Sequence, residues 1–257
     1  MSPETTAKIF GILDAAGGKT ALYAKNLVTG ETVSRRAGES FLAASVIKLA
    51  VLSECFARME SGELSPNQTF TIRKEDKFPS CGALTYMHDG LTVTLEDLYT
   101  LMIILSDNTA TNLLIDLLGI DCINRRMEAL DCAGFRLNRR LFDSEASARG
   151  LENYIVPEDV GKLLEGMYAG TVVSREASAK MLDILAKQRL NGKIPVLLPH
   201  GTKVAHKTGE DDGITHDAGI VFGKQPFVCV LCGNEVETGP FERGMQEIAR
   251  TLYDEWQ

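Results

Sequence analysis

No run of basic residues occurs anywhere in this 257-residue chain, whose formal net charge is −8. A phosphate backbone would have to bind against net repulsion, so no nucleic-acid partner is expected. Long apolar runs are missing as well. Stretches such as Phe41 to Leu52 are interrupted by Ser45 and Lys48 and fall short of the roughly 20 residues that cross a bilayer, so no membrane span is expected. Cysteine is sparse: Cys55, Cys81, Cys122, Cys132, Cys229 and Cys232 show no disulfide-framework spacing, which favours reduced thiols. Cys229 and Cys232 form a CxxC within a β-rich run, where positions three apart point to opposite faces, so core packing is expected rather than redox or metal use. The four histidines, His88, His200, His206 and His216, lack paired metal-ligand spacing, and neither a metal nor another cofactor is expected. Met1-Ser2-Pro3-Glu4-Thr5 lacks the charged start and apolar segment of a secretory leader. As the chain stands it reads as cytoplasmic, or as extracytoplasmic if a leader has been removed.

What is present is an ordinary globular composition, 44% hydrophobic and 24% charged, with enough apolar mass for one large core or two sharing a cleft. Thr20 to Val28 alternates loosely, turns at Thr29-Gly30 and resumes in Glu31 to Ser34, the pattern of an opening hairpin. From Ala43 to about Leu198 the apolar residues follow helical spacing, in Leu95 to Leu105, Ala110 to Leu118, Val160 to Met167 and Ala179 to Leu185. Strands are expected at Lys203 to Thr208, Thr215 to Phe222 and Phe227 to Leu231, followed by an amphipathic helix from Pro240 to Trp256. The fold expected is α+β: an antiparallel sheet of about five strands formed by both termini with flanking helices (1–42 and 199–257), an inserted all-helical domain (43–198), and a cleft between them. No repeat or low-complexity tract interrupts it, and a monomer is expected.

Three short motifs carry chemistry. Ser45 and Lys48 sit three apart in an otherwise apolar helix and so share a face. Burial lowers a lysine's pKa and makes its neutral amine available to a weakly acidic serine, while the helix N-terminus favours an oxyanion. Alone, S-x-x-K arises by chance about once in a chain this long. Ser106-Asp107-Asn108 follows one apolar helix and precedes another. A serine hydroxyl there can relay a proton and the Asn108 amide can hold Lys48 or a substrate carbonyl, although an N-cap accounts equally for the triplet. Lys207-Thr208-Gly209, followed by Glu210, offers a cation and a hydroxyl to a carboxylate and a glycine to a close backbone approach. The blander account is a strand end with a turn glycine. Each triplet arises by chance in only about a few per cent of such chains, so their ordered combination is specific.

In this order the motifs resemble the signature of class A β-lactamases and penicillin-binding proteins. The resemblance extends through Ala44-Ser45-Val46-Ile47-Lys48, Ser106 to Leu114, and His206-Lys207-Thr208-Gly209 with Asp217 downstream. It implies an acyl-enzyme at Ser45, with Lys48 as its base or sharing that role, Ser106 as proton shuttle and Asn108 as a substrate-positioning residue. It also implies carboxylate binding by Lys207 and Thr208, beside Gly209, and an oxyanion hole from the backbone N–H groups of Ser45 and Glu210. The implied substrate is a β-lactam or a D-alanyl peptide-like amide or ester. One segment departs from the pattern. In the stretch resembling the family's omega loop, Leu137 to Pro157, a glutamate ordinarily follows an arginine by two residues, but Arg139 is followed by Arg140 and Leu141. Glu145 comes four residues later, and Asn153 takes the place expected for the arginine's acidic partner. Glu145 is therefore either a relocated base that completes a β-lactamase or a solvated carboxylate near Arg149. In the second case the acyl-enzyme turns over slowly, as in a penicillin-binding protein, or persists, as in a β-lactam sensor. Gly17-Gly18-Lys19-Thr20 ends like a phosphate-binding loop, but Leu13 stands where its first glycine belongs.

Overall fold

A computed structural model describes residues 1–78 and 81–257. The first element is a helix, not the expected hairpin: α1 spans Pro3–Ala15. Ser2 caps it by accepting from the Thr5 N–H, Pro3 supplies a preset φ in the first turn, and Ile9 and Leu13 give it a buried stripe.

The hairpin follows as β1 (Lys19–Asn26) and β2 (Thr32–Arg35). Near the C-terminus come β7 (Val204–Asp211), β8 (Ile214–Val221) and β9 (Phe227–Asn234), then helix α9 (Thr238–Trp256). Among the described residues these strands form a five-stranded antiparallel sheet in the order β2-β1-β9-β8-β7. Both termini therefore build the sheet.

The intervening segment is not purely helical. It carries α2 (Lys48–Glu60), α3 (Leu95–Ile104), α4 (Asn108–Leu118), α5 (Ile120–Ala129), α6 (Ser144–Ala148), α7 (Pro157–Ala169) and α8 (Arg175–Leu185). Two small antiparallel pairs also lie there: β3 (Phe41–Leu42) with β6 (Tyr154–Ile155), and β4 (Thr69–Ile72) with β5 (Leu91–Thr94). Both are too short for alternation to have been visible in the sequence. None of the described helices is long and apolar enough to cross a membrane.

The sheet is buried on both faces. One face carries Leu22, Ala24, Cys229 and Leu231 against Ile9 and Leu13 of α1 and Phe241, Met245, Ile248 and Trp256 of α9. The opposite face, with Ala21, Tyr23, Ala205, Ala218, Val230 and Cys232, joins the apolar interior of the helical segment in one continuous core. Cys229 and Cys232 thus enter opposite faces as reduced core residues, and burial raises both thiols far above their ordinary pKa.

Where α7 crosses β1, Gly161 lies under the Tyr23 ring, and a Cβ at Gly161 would come within 2.3 Å of ring carbons. Tyr23 then donates to Glu165 Oε1 at 2.6 Å and Lys25 to Glu165 Oε2 at 2.6 Å. Gly161→Ala gains about 1 kcal/mol of helix propensity but overpacks this contact by about 1–3 kcal/mol. A net loss of stability is expected in urea unfolding, and an Ala variant as stable as the parent would mean that the contact yields without cost.

Candidate active site

The backbone is strained at two points that set the site. Ala44, with φ 40°, precedes Ser45, and Ser106 itself has φ 55°. Non-glycine residues in the left-handed region persist only where surrounding structure compels them. Ser45 lies in a 3₁₀ turn, Ala44–Ile47, that runs into α2 at Lys48, so the two side chains belong to one turn, although not to one α-helix as the sequence suggested. Ser45 is half-buried and Lys48 fully buried.

Asp107 fixes the second motif. It caps α4 by accepting from the Ala110 N–H at 2.9 Å, while its other oxygen accepts from the N–H groups of Ala83 and Leu84 at 2.7 and 2.9 Å. The cap account of the triplet is realised by Asp107, while Ser106 and Asn108 face Lys48. Gly82, at φ 118°, packs against Asp107 with no room for a Cβ, which holds Cys81 at the cavity rim, an exposed thiol the sequence had given no reason to place there.

Ser106, Lys48, Asn108 and Lys207 converge. The Lys48 Nζ is 2.7 Å from the Ser106 carbonyl, 2.9 Å from Ser106 Oγ and 2.9 Å from Asn108 Oδ1. From β7, the Lys207 Nζ reaches the same Ser106 Oγ at 3.0 Å and the Thr208 carbonyl at 2.7 Å. Two ammonium groups sharing one hydroxyl in a dry interior repel strongly, which favours loss of a proton. Burial, reinforced by Lys207, holds Lys48 well below its ordinary pKa. Burial and the charge of Lys193 bring Lys207 to about 7. Lys48 thus donates to Ser106 Oγ and to two carbonyl oxygens, one from the Ser106 backbone and one from the Asn108 side chain.

Thr208 and Gly209 are buried in β7 and Glu210 is exposed just beyond them. A Cβ at Gly209 would press within about 3.3 Å of His216, Val46 and Ala44, so glycine here seats the strand against the turn bearing Ser45. His216 donates from Nε2 to the Leu42 carbonyl at 2.7 Å and accepts at Nδ1 from the Gly233 N–H at 3.2 Å. Burial lowers its pKa to about 4, leaving a neutral structural imidazole. His206 is likewise internal, with Nδ1 2.8 Å from Asp217 and Nε2 2.9 Å from Asn191. Lys193, which no sequence motif marked, is buried under β7. Its Nζ meets Glu210 at 2.9 Å and the His216 carbonyl at 3.2 Å. A lone lysine between Gly192 and Ile194 gives no local signal.

Glu145 is not brought to this cluster. It lies exposed on α6 and outside the cavity wall. At the wall stands Leu141, 9% exposed, whose backbone N–H donates to Asn112 Oδ1 at 2.9 Å and whose carbonyl accepts from Asn112 Nδ2 at 3.0 Å. The acidic partner of Arg139 is Glu152 rather than residue 153. Asn153 instead accepts from the N–H groups of Asn138 and Arg139 and donates to the Arg139 carbonyl. Burial raises the Glu152 pKa, but hydrogen bonds from Ser147 and Arg139 outweigh it and leave the carboxyl below its usual range. The resulting cavity, about 480 Å³, is walled by Ser45, Asn108, Leu141, Asp143, Glu210 and their neighbours. Among the described residues no group of three His, Cys, Asp or Glu side chains is arranged to hold a metal ion.

The sequence model of the beta-lactamase enzyme family matches residues 4–256. The chain belongs to that family. A β-lactamase of Rhodobacter capsulatus is 28% identical over 193 residues, 74% of this chain but 64% of that protein, so the match spans a little under two thirds of that relative. A β-lactamase of Pseudomonas aeruginosa is 24% identical over 97% of this chain and 89% of its own. Among solved structures, a beta-lactamase from Sphaerobacter thermophilus superposes with a TM-score of 0.92 at 28% identity, covering 99% of this chain and 98% of that one. PBP-A superposes at 0.89 with 25% identity, covering 98% and 96%. The beta-lactamase family fold, a five-stranded antiparallel sheet with helices, is the fold described above.

The low pKa of Lys207 has a kinetic consequence for any substrate recognised by its carboxylate. Protonated Lys207 predominates below about 7, so kcat/KM for such a substrate should fall by up to about tenfold per pH unit above that value. Lys207→Arg, which stays charged, should remove this alkaline limb. A limb unchanged in the Arg variant would assign it to another group.

Proposed function

We propose that the protein is a serine acyl-transfer hydrolase that forms an acyl-enzyme at Ser45 from a β-lactam or D-alanyl peptide-like amide or ester, and that releases it slowly. The observation that carries this reading is Ser106 Oγ held between the Lys48 and Lys207 amines at 2.9 and 3.0 Å, beside a cavity that Ser45 lines.

Neutral Lys48 takes the Ser45 proton as Oγ attacks the carbonyl carbon, and the developing oxyanion is received by the backbone N–H groups of Ser45 and Glu210. The carbon–nitrogen bond then breaks. Ser106 passes its proton to the departing nitrogen and is replenished from Lys48. Asn108 orients the substrate while holding Lys48, and Lys207 with Thr208 binds the substrate carboxylate. Hydrolysis of the ester needs a base for the incoming water. Glu145 is exposed and off the wall, Glu152 is spent on Arg139 and Ser147, and Leu141 presents only methyl groups. Slow release follows, and a penicillin-binding role fits better than rapid β-lactam destruction. A solved structure of a leucine-to-glutamate mutant of PBP-A is described as an acyl-enzyme complex with penicillin G, a covalent adduct of the type proposed at Ser45.

A second reading rests on Asp143, a carboxylate in the cavity wall that uses Oδ1 to cap α6. If its other oxygen activates water, the protein is a working β-lactamase with a relocated base.

Intact mass after mixing with a chromogenic cephalosporin distinguishes them. A lasting adduct that disappears in Ser45→Ala is the expected result; rapid product without an adduct, abolished by Asp143→Asn, would establish the second reading, and no adduct and no product with either the cephalosporin or a D-alanyl ester would refute both. Leu141→Glu places a carboxylate on a backbone that Asn112 already holds, and should hasten deacylation by at least about tenfold. Glu145→Gln should leave the lifetime of the adduct unaltered, and a clear lengthening would restore Glu145 as the base.

A further inference from the structure

His206 and Asp217 are both fully buried, and neither takes part in the acyl transfer proposed above. His206 on β7 meets Asp217 on the adjacent strand β8, with Nδ1 2.8 Å from Asp217 Oδ1, while Asp217 Oδ2 accepts from the Ile194 N–H at 3.0 Å. On the far side of the ring, Nε2 lies 2.9 Å from Asn191 Oδ1. The orientation of that amide is fixed, because Asn191 Nδ2 donates to the Gln188 carbonyl at 3.0 Å. Both ring nitrogens therefore point at oxygen acceptors, and only a doubly protonated ring donates to both. Asn191 is exposed, so the proton on Nε2 sits one residue from solvent although the ring itself is dry.

The register of the sheet connects this pair to the site. Asp217 stands opposite Thr208 and Ala218 opposite Lys207, so the pair and the Lys207 side chain enter opposite faces, one residue apart along each strand. Burial and the charge of Lys193 drive the proton from Lys207, and the Asp217 carboxylate is the foremost influence that retains it, ahead of Cys81 and Glu210. Lys48, which shares Ser106 Oγ with Lys207, adds a further repulsion across the hydroxyl. Around the pair itself, β9 contributes Cys229, kept as a thiol by burial, and the segment after α8 contributes the amides of Asn191 and Gln188, which do not titrate. Among the described residues, His206 is the one side chain that forms an ion pair with Asp217. A cation bonded to a carboxylate cancels much of its pull on a more distant charge.

We propose that His206 is a positioning residue that acts through Asp217: as an imidazolium clamped between Asp217 and Asn191, it neutralises the carboxylate and so sets the charge that Lys207 offers to a substrate carboxylate. Loss of the Nε2 proton to water leaves Nδ1–H on Asp217, and the carboxylate then acts on Lys207 unopposed. The inference rests on the reading of Lys207 as the carboxylate-binding residue.

The second-order rate constant for acylation of Ser45 by benzylpenicillin, followed by intact mass across pH, reports the charge on Lys207 through its alkaline limb. In His206→Gln, which keeps a donor for Asp217 but no charge, the limb should move up by about one pH unit, and in Asp217→Asn it should move down by about as much. The double variant exchanges an ion pair for two amides and should return the limb to its parental place. A limb that stays put in both single variants, while the rate or the stability falls, would reduce the pair to a structural one and overturn the proposal. Should benzylpenicillin not acylate Ser45, or should Lys207→Arg leave the limb unchanged, the reading of Lys207 fails by itself. The coupling is then read without substrate, from the carbon NMR shift of the Lys207 Cε, assigned by its loss in Lys207→Arg. Titrations displaced in those opposite directions support the proposal, and superimposable curves overturn it. If the variants do not fold, nitrogen NMR of the histidine-labelled parent decides: hydrogen on both ring nitrogens of His206 where Lys207 titrates supports it, and a neutral ring throughout that range overturns it.

Discussion

The meeting of two buried lysine amines on the single hydroxyl of Ser106 is the constraint around which the rest is arranged. Neither cation is tolerated there in water-free surroundings without loss of charge or dense hydrogen bonding. The fold supplies both: carbonyl oxygens from Ser106, Asn108 and Thr208 for the amines, and a strained Ser106 backbone that turns its oxygen atoms toward them. Asp107 keeps that strained turn in place by tying α4 to the segment after Cys81. The cost of the arrangement is borne by the large core behind it, which is where most of the 44% hydrophobic residues are spent.

Much of this could be read from the sequence because the candidate site residues stand in short, fixed spacing on regular elements. Ser45 and Lys48 are one turn apart, the Ser106 triplet marks a helix junction, and Lys207 to Gly209 sit on a strand, so local pattern and the proposed chemistry coincide. The long strands and the helices α3, α4, α7 and α8 were visible for the same reason. Helix α1 was not, since its stripe is thin and the strand signal after it is strong. The pairs β3–β6 and β4–β5 are created by tertiary contact rather than by local preference.

The loop between Leu137 and Pro157 marks the limit. Its residues were aligned correctly in kind but not in partnership. The ion pair of Arg139 formed with Glu152, and Asn153 bonded the backbone, because a side chain in an irregular segment is placed by φ and ψ values that no periodicity encodes. Glu145, chosen for proximity in sequence, was turned outward by the short helix α6. Lys193 escaped notice for a related reason: what makes it important is burial beneath β7, and nothing in its neighbours announces burial.

One continuous core backs both the sheet face that bears Lys207 and the helices that bear Lys48 and Ser106. Close-packed interiors resist shear, and rigid-body closure needs a boundary with few contacts across it. Among the described residues one core joins the two walls of the cleft, which disfavours their closing as separate bodies on a ligand. Adaptation to the shape of a bound molecule falls instead to the rim, where Phe142 and Cys81 project without burial. The candidate site is preorganised, and its exposed edge is where a bound molecule meets side chains that are free to adjust.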